Sequence, residues 1–268
     1  SDAKRPIIAV PMNRNEDNRY SVDYSAFEEA IVKHDVKVFI HCNPHNPVGH
    51  VWTEDEMDQL FSICKRNGVL IISDEIHQDL VAGPLPFTSA LTVSNGAYAN
   101  NIIAMSSLSK SFNMASLHHA EVIIPNEDLR HQYNACKSLV YHTDSDVIAE
   151  TAITAAYTHP EAEKWLADLL AVVKENYEYM CSQLLHSLPE LRISPMDGTY
   201  LAWIDFGAYV KAENMHNIFE NQCGIAPSFG EWFGGKSYAT FVRLNLATSL
   251  ENIKIATNSI LQHVPPND

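Results

Sequence analysis

The sequence predicts an α/β fold, a mainly parallel sheet followed by a smaller α+β C-terminal domain, and three features carry that expectation. Short apolar runs alternate with helical stretches through the first half, the pattern of βαβ units. A long helical periodicity opens at Pro160, and after Pro189 short strands are interspersed with helices.

In chain order, residues 36–40 read as a strand, followed by the Pro-stiffened loop at residues 43–49. Thr53 and Glu56 have the spacing of a capping box, and Met57, Leu60, Phe61 and Cys64 fall on one helical face before Gly68 closes the helix. Residues 69–72 form a near-continuous apolar run, as expected of a strand covered on both faces, with Asp74 and Glu75 directly after it. Residues 102–105 and 122–124 are two further strands, the first running into a Ser-rich loop around Lys110. Pro160 suits the first helical position, and Leu166, Leu169, Val173, Tyr177, Met180 and Leu184 keep helical spacing to about Leu188, as expected of a spine between two lobes. Beyond it, residues 191–194, 200–205 and 241–246 read as strands and residues 212–222 and 250–263 as helices. The expected division is residues 1–159, a connecting helix over 160–188, and a small domain over 189–268.

Length and composition narrow the function. A chain of 268 residues buries roughly three quarters of its unfolded surface and needs no disulfide or metal staple. With 18 Lys plus Arg against 33 Asp plus Glu, the net charge is −15. That disfavours a grip on nucleic acid or on an anionic membrane, which needs clustered cations. Five cysteines, without a CxxC pair, fit a reducing compartment. Thirteen histidines include no HExxH, so no metal is expected. The five-residue apolar stretch after Arg5 is too short for a signal peptide, and a cytoplasmic location is expected.

In open α/β sheets the ligand lies outside the carboxyl ends of the strands. There the sequence places Asn46, Asp74 and Lys110 after three successive strands. Singly they read as a turn former, a cap and a solvated charge. Together they suit a cofactor bearing an aldehyde, a phosphate and a basic ring nitrogen, which pyridoxal 5'-phosphate (PLP) combines. The Lys supplies a Schiff base, and the Asp keeps the ring nitrogen protonated.

Four ordered motifs extend this: residues 43–52 (NPHNPVGHVW), 73–77 (SDEIH), 107–113 (SLSKSFN) and 241–247 (FVRLNLA). Together they resemble the fold-type I aminotransferase superfamily, and within it the MalY/PatB branch of cystathionine β-lyases and other carbon–sulfur lyases. The resemblance implies a three-layer αβα major domain over residues 1–159 that binds PLP. It implies that Lys110 is the Schiff-base lysine, Asp74 the partner of the ring nitrogen and Asn46 the donor to the phenolic oxygen. Ser107, Ser109 and His118 would serve the phosphate, and Arg243 would clamp the substrate carboxylate. His77 stands where many aminotransferases carry Tyr; it is grouped with the cofactor-binding residues, its role open.

Two departures follow. Ser116 replaces a family Gly, and His118 stands where a charged phosphate partner is common, so phosphate binding becomes weak or pH dependent. Family members also carry further residues ahead of the segment matching residues 20–27, and the chain looks like the C-terminal two thirds of an enzyme that binds PLP weakly on its own. The implied activity is cleavage of cystathionine or a related cysteine thioether to a thiol, pyruvate and ammonia by a cytoplasmic homodimer. The alternatives are an aminotransferase using the same residues, or a non-catalytic regulatory protein that keeps the fold.

Overall fold

The computed structural model describes residues 5–140 and 146–264; residues 1–4, part of the reading of the N-terminus, lie outside the described residues. The chain opens with a hairpin, β1 (Asn13–Arg14) against β2 (Tyr20–Ser21). Asp23 then caps α1 (Tyr24–His34), its carboxylate accepting the Ala26 N–H at 2.9 Å. The expected βαβ unit follows as β3 (Val38–Cys42), α2 (Glu54–Arg66) and β4 (Leu70–Asp74). Its capping box is formed in both directions between Thr53 and Glu56, and Met57, Leu60, Phe61 and Cys64 are all buried. A single turn, α3 (Val93–Gly96), precedes β5 (Ile102–Ser106), the one-turn α4 (Leu108–Ser111) and β6 (Glu121–Ile123).

These strands form one sheet in the order β3-β4-β5-β6. β3, β4 and β5 are parallel, whereas β6 runs antiparallel to β5. Between β5 and β6 lie only α4 and a 3₁₀ turn at Ala115–Leu117. Neither is long enough to carry the chain back along the sheet for another parallel strand. One face of the sheet presents Phe39, Ile71, Ile102 and Ala104 to α1 and α2 in a common core. The opposite face begins with Val38 and Ile40, and Ile40 is 71% exposed.

The helices α5 (Glu127–Val140) and α6 (Val147–Thr158) lead into α7 (Pro160–Ser187), which starts at Pro160 as expected. The second sheet is antiparallel throughout, in the order β7-β8-β10-β9, from β7 (Arg192–Ile193), β8 (Leu201–Asp205), β9 (Ser228–Phe229) and β10 (Phe241–Asn245). The single turn α8 (Glu231–Gly234) follows β9, and α9 (Leu250–His263) packs beside α7. Val173, Met180, Leu184, Ile204, Val242 and Ile260 close their shared core. The helix expected over residues 212–222 is instead a 3₁₀ turn and a π-type stretch at Asn217–Gln222.

Two connections join the sheets. The β1–β2 hairpin lies on the second sheet, with Arg14 bound to Asp205 at 2.8 Å, Arg19 paired with Asp197, and Trp203 Nε1 donating to the Tyr20 hydroxyl at 3.2 Å. The loop after β3 also presses on residues 195–199. Gly49 has φ +74°, and a Cβ on Gly198 would lie 2.6 Å from Pro44, so neither position accommodates a side chain without rearrangement.

Candidate active site

The loop after β3 is held from within. The buried Asn43 side chain donates to the Thr88 carbonyl at 3.0 Å and accepts the Trp52 N–H at 3.2 Å, while Trp52 Nε1 donates to the Cys42 carbonyl at 2.8 Å. This anchoring carries Asn46 to the second sheet, where its Oδ1 accepts a hydrogen bond from Arg243 Nη1 at 2.8 Å. Arg243 Nη2 donates to Ser228 Oγ at 2.9 Å, and the guanidinium lies over the Phe233 ring, 4.7 Å from its centroid. Burial lowers the pKa of Arg243 from the ordinary guanidinium value.

At the end of β4 consecutive side chains part company, as strand geometry requires. Asp74, in register with Cys42 and Met105, accepts the Ile76 N–H at 3.2 Å. Glu75 turns into the core, where its carboxylate accepts from Ser73 Oγ, Ser89 Oγ and the Ala90 N–H at 2.8–2.9 Å. Burial raises its pKa against the effect of those bonds. His77 is 3% exposed, packs edge-on to Tyr200, and has a buried Nδ1 without a hydrogen-bond partner. Burial, followed by the positive charges of Lys110 and Arg243, pushes its pKa down to about 4. It is therefore neutral at pH 7.

After β5, Ser107 caps α4: its Oγ accepts the Ser109 N–H at 3.1 Å and donates to the His119 carbonyl at 2.7 Å. Lys110 follows, and among the described residues its amine has no hydrogen-bond or ion-pair partner. The turn that carries it is fixed from below by Asp79, whose Oδ2 accepts from Ser111 Oγ at 2.7 Å and from the Tyr157 hydroxyl at 2.8 Å. His118 is exposed, with a left-handed φ of 49°.

A cavity of about 460 Å³ collects Asn46, His77, Lys110, Tyr200, Ser228 and Arg243. Asp74, Ser107, Ser109 and His118 lie outside its lining. Of the residues singled out in the sequence, the structure thus brings Asn46, His77, Lys110 and Arg243 together at one place. Sequence reasoning missed Tyr200 and Ser228, which come from short C-terminal segments without a motif, and Asp79, whose role shows only once α4 and α6 are folded against it. Among the described residues no group of three or more His, Cys, Asp or Glu could hold a metal ion. The donor set does fit PLP: an unpartnered amine, an orphaned buried imidazole nitrogen, and an Asn46 amide whose NH₂ remains available to donate.

Residues 3–260 match the family described as aminotransferase class I and II, and the chain belongs to that family. Among its relatives it is similar to protein MalY of Escherichia coli (strain K12), 33% identical over 90% of this chain and 60% of that protein. It is also similar to cystathionine β-lyase PatB of Bacillus subtilis (strain 168), 29% identical over 93% of this chain and 64% of that protein. Among solved structures, cystalysin from Treponema denticola, which contains a pyridoxal 5'-phosphate cofactor, superposes with a TM-score of 0.92 at 26% identity, covering 98% of this chain and 66% of cystalysin. The fold is accordingly that of the PLP-dependent transferases. The chain spans about three fifths of the length of the curated relatives it matches.

Proposed function

We propose that the chain acts in a PLP-dependent carbon–sulfur β-lyase that converts cystathionine or a related cysteine thioether, with water, to a thiol, pyruvate and ammonia. The observation that carries this reading is the single cavity in which Lys110, His77, Asn46 and Arg243 meet. PatB, named as a cystathionine β-lyase, supports the reaction class.

Arg243 receives the α-carboxylate, its planar guanidinium held in orientation by Asn46 and Ser228. Lys110 would hold the cofactor through its amine, and its free amine would take the proton from the α-carbon as general base. Asp74 would serve the ring nitrogen, Asn46 the phenolic oxygen, and Ser107, Ser109 and His118 the phosphate. His77, neutral and buried, gives the cavity a hydrogen-bonding group without adding a third positive charge beside Lys110 and Arg243. When bound, PLP supplies an aldehyde for amine capture and a ring that stores the electron pair released at the α-carbon.

The domain division at residues 159 and 188, a cytoplasmic location and a homodimer belong to the same proposal. The cysteines Cys42, Cys64, Cys136, Cys181 and Cys223 are all unpaired, which suits a reducing compartment. The dimer is supported by apolar side chains on α5 and α6, where Leu139, Val140, Val147 and Ile148 are 69–80% exposed. The deciding measurement is pyruvate release from cystathionine with PLP and no added keto acid. Release supports the lyase. Strict dependence on a keto acid supports an aminotransferase, and absence of both activities, with no PLP absorbance band, supports a non-catalytic protein.

A further inference from the structure

His216 stands immediately before the π-type stretch at Asn217–Gln222, half exposed and between two carboxylates. Its Nδ1 lies 3.1 Å from Glu220 Oε2 on that stretch, and its Nε2 lies 3.4 Å from Glu231 Oε1 at the start of α8. An ionised carboxylate only accepts hydrogen bonds, and a neutral imidazole has a single N–H. Both bonds therefore exist together only when the ring carries two protons and a positive charge. The ring also stacks on the buried Phe229 of β9, with centroids 3.7 Å apart, a contact that favours the same charged form.

The two elements that meet at His216 flank Arg243. β9 supplies Ser228, which accepts from Arg243 Nη2 at 2.9 Å, and α8 supplies Phe233, whose ring lies against the guanidinium. β9 is fixed by its backbone pairing with β10. α8 is a single turn that closes on its own backbone, Phe233 and Gly234 donating to the Gly230 carbonyl. Among the described residues, its one side-chain hydrogen bond is the one to His216. Phe233 is otherwise placed by aromatic packing, edge-on to Trp203 at 5.6 Å.

Glu220 from the same stretch and Glu231 from α8 are the charged groups that face His216 among the described residues, and from β9 it meets the Phe229 ring. The hydrogen bond to Glu220, opposed by partial desolvation and joined by the bond to Glu231, raises the pKa of His216 above its ordinary 6.5. The charged form thus prevails below that raised value and is lost as the pH climbs through it. Loss of the proton removes one donor. The shorter bond, to Glu220, is kept, and the ring then turns a lone pair toward the Glu231 carboxylate.

We propose that His216, as an imidazolium, is a positioning residue for the substrate carboxylate: it ties α8 in place so that Phe233 backs the Arg243 guanidinium, and carboxylate binding weakens when the proton leaves. The proposal rests on the lyase reading for the role of Arg243 and on the geometry around His216 for the proton dependence.

The test is calorimetric binding of 2-methylalanine, which has neither an α-proton nor a leaving group, and of its amide, which lacks the carboxylate, to the chain with PLP at pH 6 and pH 9. An exposed ion pair and a surface cation–π contact are each small, so the wild type is expected to bind 2-methylalanine about threefold more tightly than His216→Gln at pH 6, and equally at pH 9. His216→Lys, whose ammonium stays charged at both, should keep the tighter binding throughout. The amide should not distinguish the three proteins. In the chain without PLP or ligand, the Arg243 Cδ signal in an NMR titration should move with the midpoint of the His216 ring, and should stay still in His216→Gln. A Gln variant that matches the wild type at both pH values or falls short of it equally at both, a difference shared by the amide, or an Arg243 signal indifferent to His216 would overturn the proposal. If the pH-dependent difference holds while no thioether yields pyruvate, His216 keeps its role and the lyase reading fails.

Discussion

Where Arg243 meets Asn46, positions 197 residues apart are joined by a 2.8 Å hydrogen bond between the two sheets, and Ser228 holds the other arm of the guanidinium. Around Ser107 the polar groups are satisfied locally: its hydroxyl caps its own helix turn and donates to His119, twelve residues on. The Arg243 guanidinium is therefore oriented by the tertiary fold before any ligand arrives. The Ser107 hydroxyl is already spent on backbone, and a phosphate that it was to serve would have to share or displace those bonds. Preorganisation of this kind governs how much binding energy remains for catalysis.

Lys110 lines the cavity with Arg243, and its loss should have the largest effect. Lys110→Ala is expected to reduce pyruvate formation at least a thousandfold, since a positioned general base alone contributes about 10²–10⁴; an unaltered rate in a stopped assay would remove Lys110 from the reaction. The next effect belongs to the oriented end. Arg243→Lys forfeits the fork held by Asn46 and Ser228, and a lost charge-assisted hydrogen bond of about 2 kcal/mol corresponds to some thirtyfold in kcat/KM. Steady-state kinetics should show that loss, and a Lys variant as active as wild type would mean that the preformed fork is irrelevant.

A third effect is in stability. Burial holds His41 at about 3, and His45 and His77 at about 4, all below the ordinary value of 6.5. The unfolded chain thus binds more protons than the folded one between about pH 4 and 6.5. Stability from these groups is complete above pH 6.5 and is lost as the pH falls through that window, at up to about 1.4 kcal/mol per pH unit for each group. Urea unfolding at pH 7.5, 6 and 5 should show the decline, and a flat profile would refute it. The smallest effect is at the locally satisfied end. Ser107→Ala should cost about 1 kcal/mol of stability through the lost cap, measured by urea unfolding, and should weaken PLP only severalfold in a fluorescence titration. A collapse of PLP affinity would show that the Ser107 hydroxyl leaves its backbone partners for the phosphate.

Most of what positions the site was legible because its determinants are local or periodic. The Thr53–Glu56 spacing and the apolar face from Met57 to Cys64 produced α2 as read, and Pro160 marked the start of α7. The motifs around Asn46, His77, Lys110 and Arg243 also named the residues that share the cavity. Long-range choices were harder to read. The apolar run at residues 122–124 looks the same in a parallel or an antiparallel neighbour, so the reversed direction of β6 was invisible. α5 carries Leu129, Tyr133, Cys136 and Val140 at helical spacing yet contains no buried residue, so its pattern does not reveal where it packs. β9 is two residues long, too short for any alternation. The buried Glu75 with its three donors reads in the sequence as one more acidic residue after a strand, because its partners Ser89 and Ala90 lie on a later loop.

The contact between the loop after β3 and residues 195–199 has a consequence for how the molecule comes apart. The carbonyl of Gly49 accepts from both Asp197 and Gly198, Thr199 donates to Leu80, and Ala82 and Gly83 both donate to Asp197. These backbone bonds cross from one sheet to the other in a seam that the absent side chains of Gly49 and Gly198 allow to close. Neither sheet can melt without stripping amide partners from the other, and the cost of leaving those groups unpaired couples the two into a single cooperative transition. The molecule should behave calorimetrically as one body, although its topology is that of two.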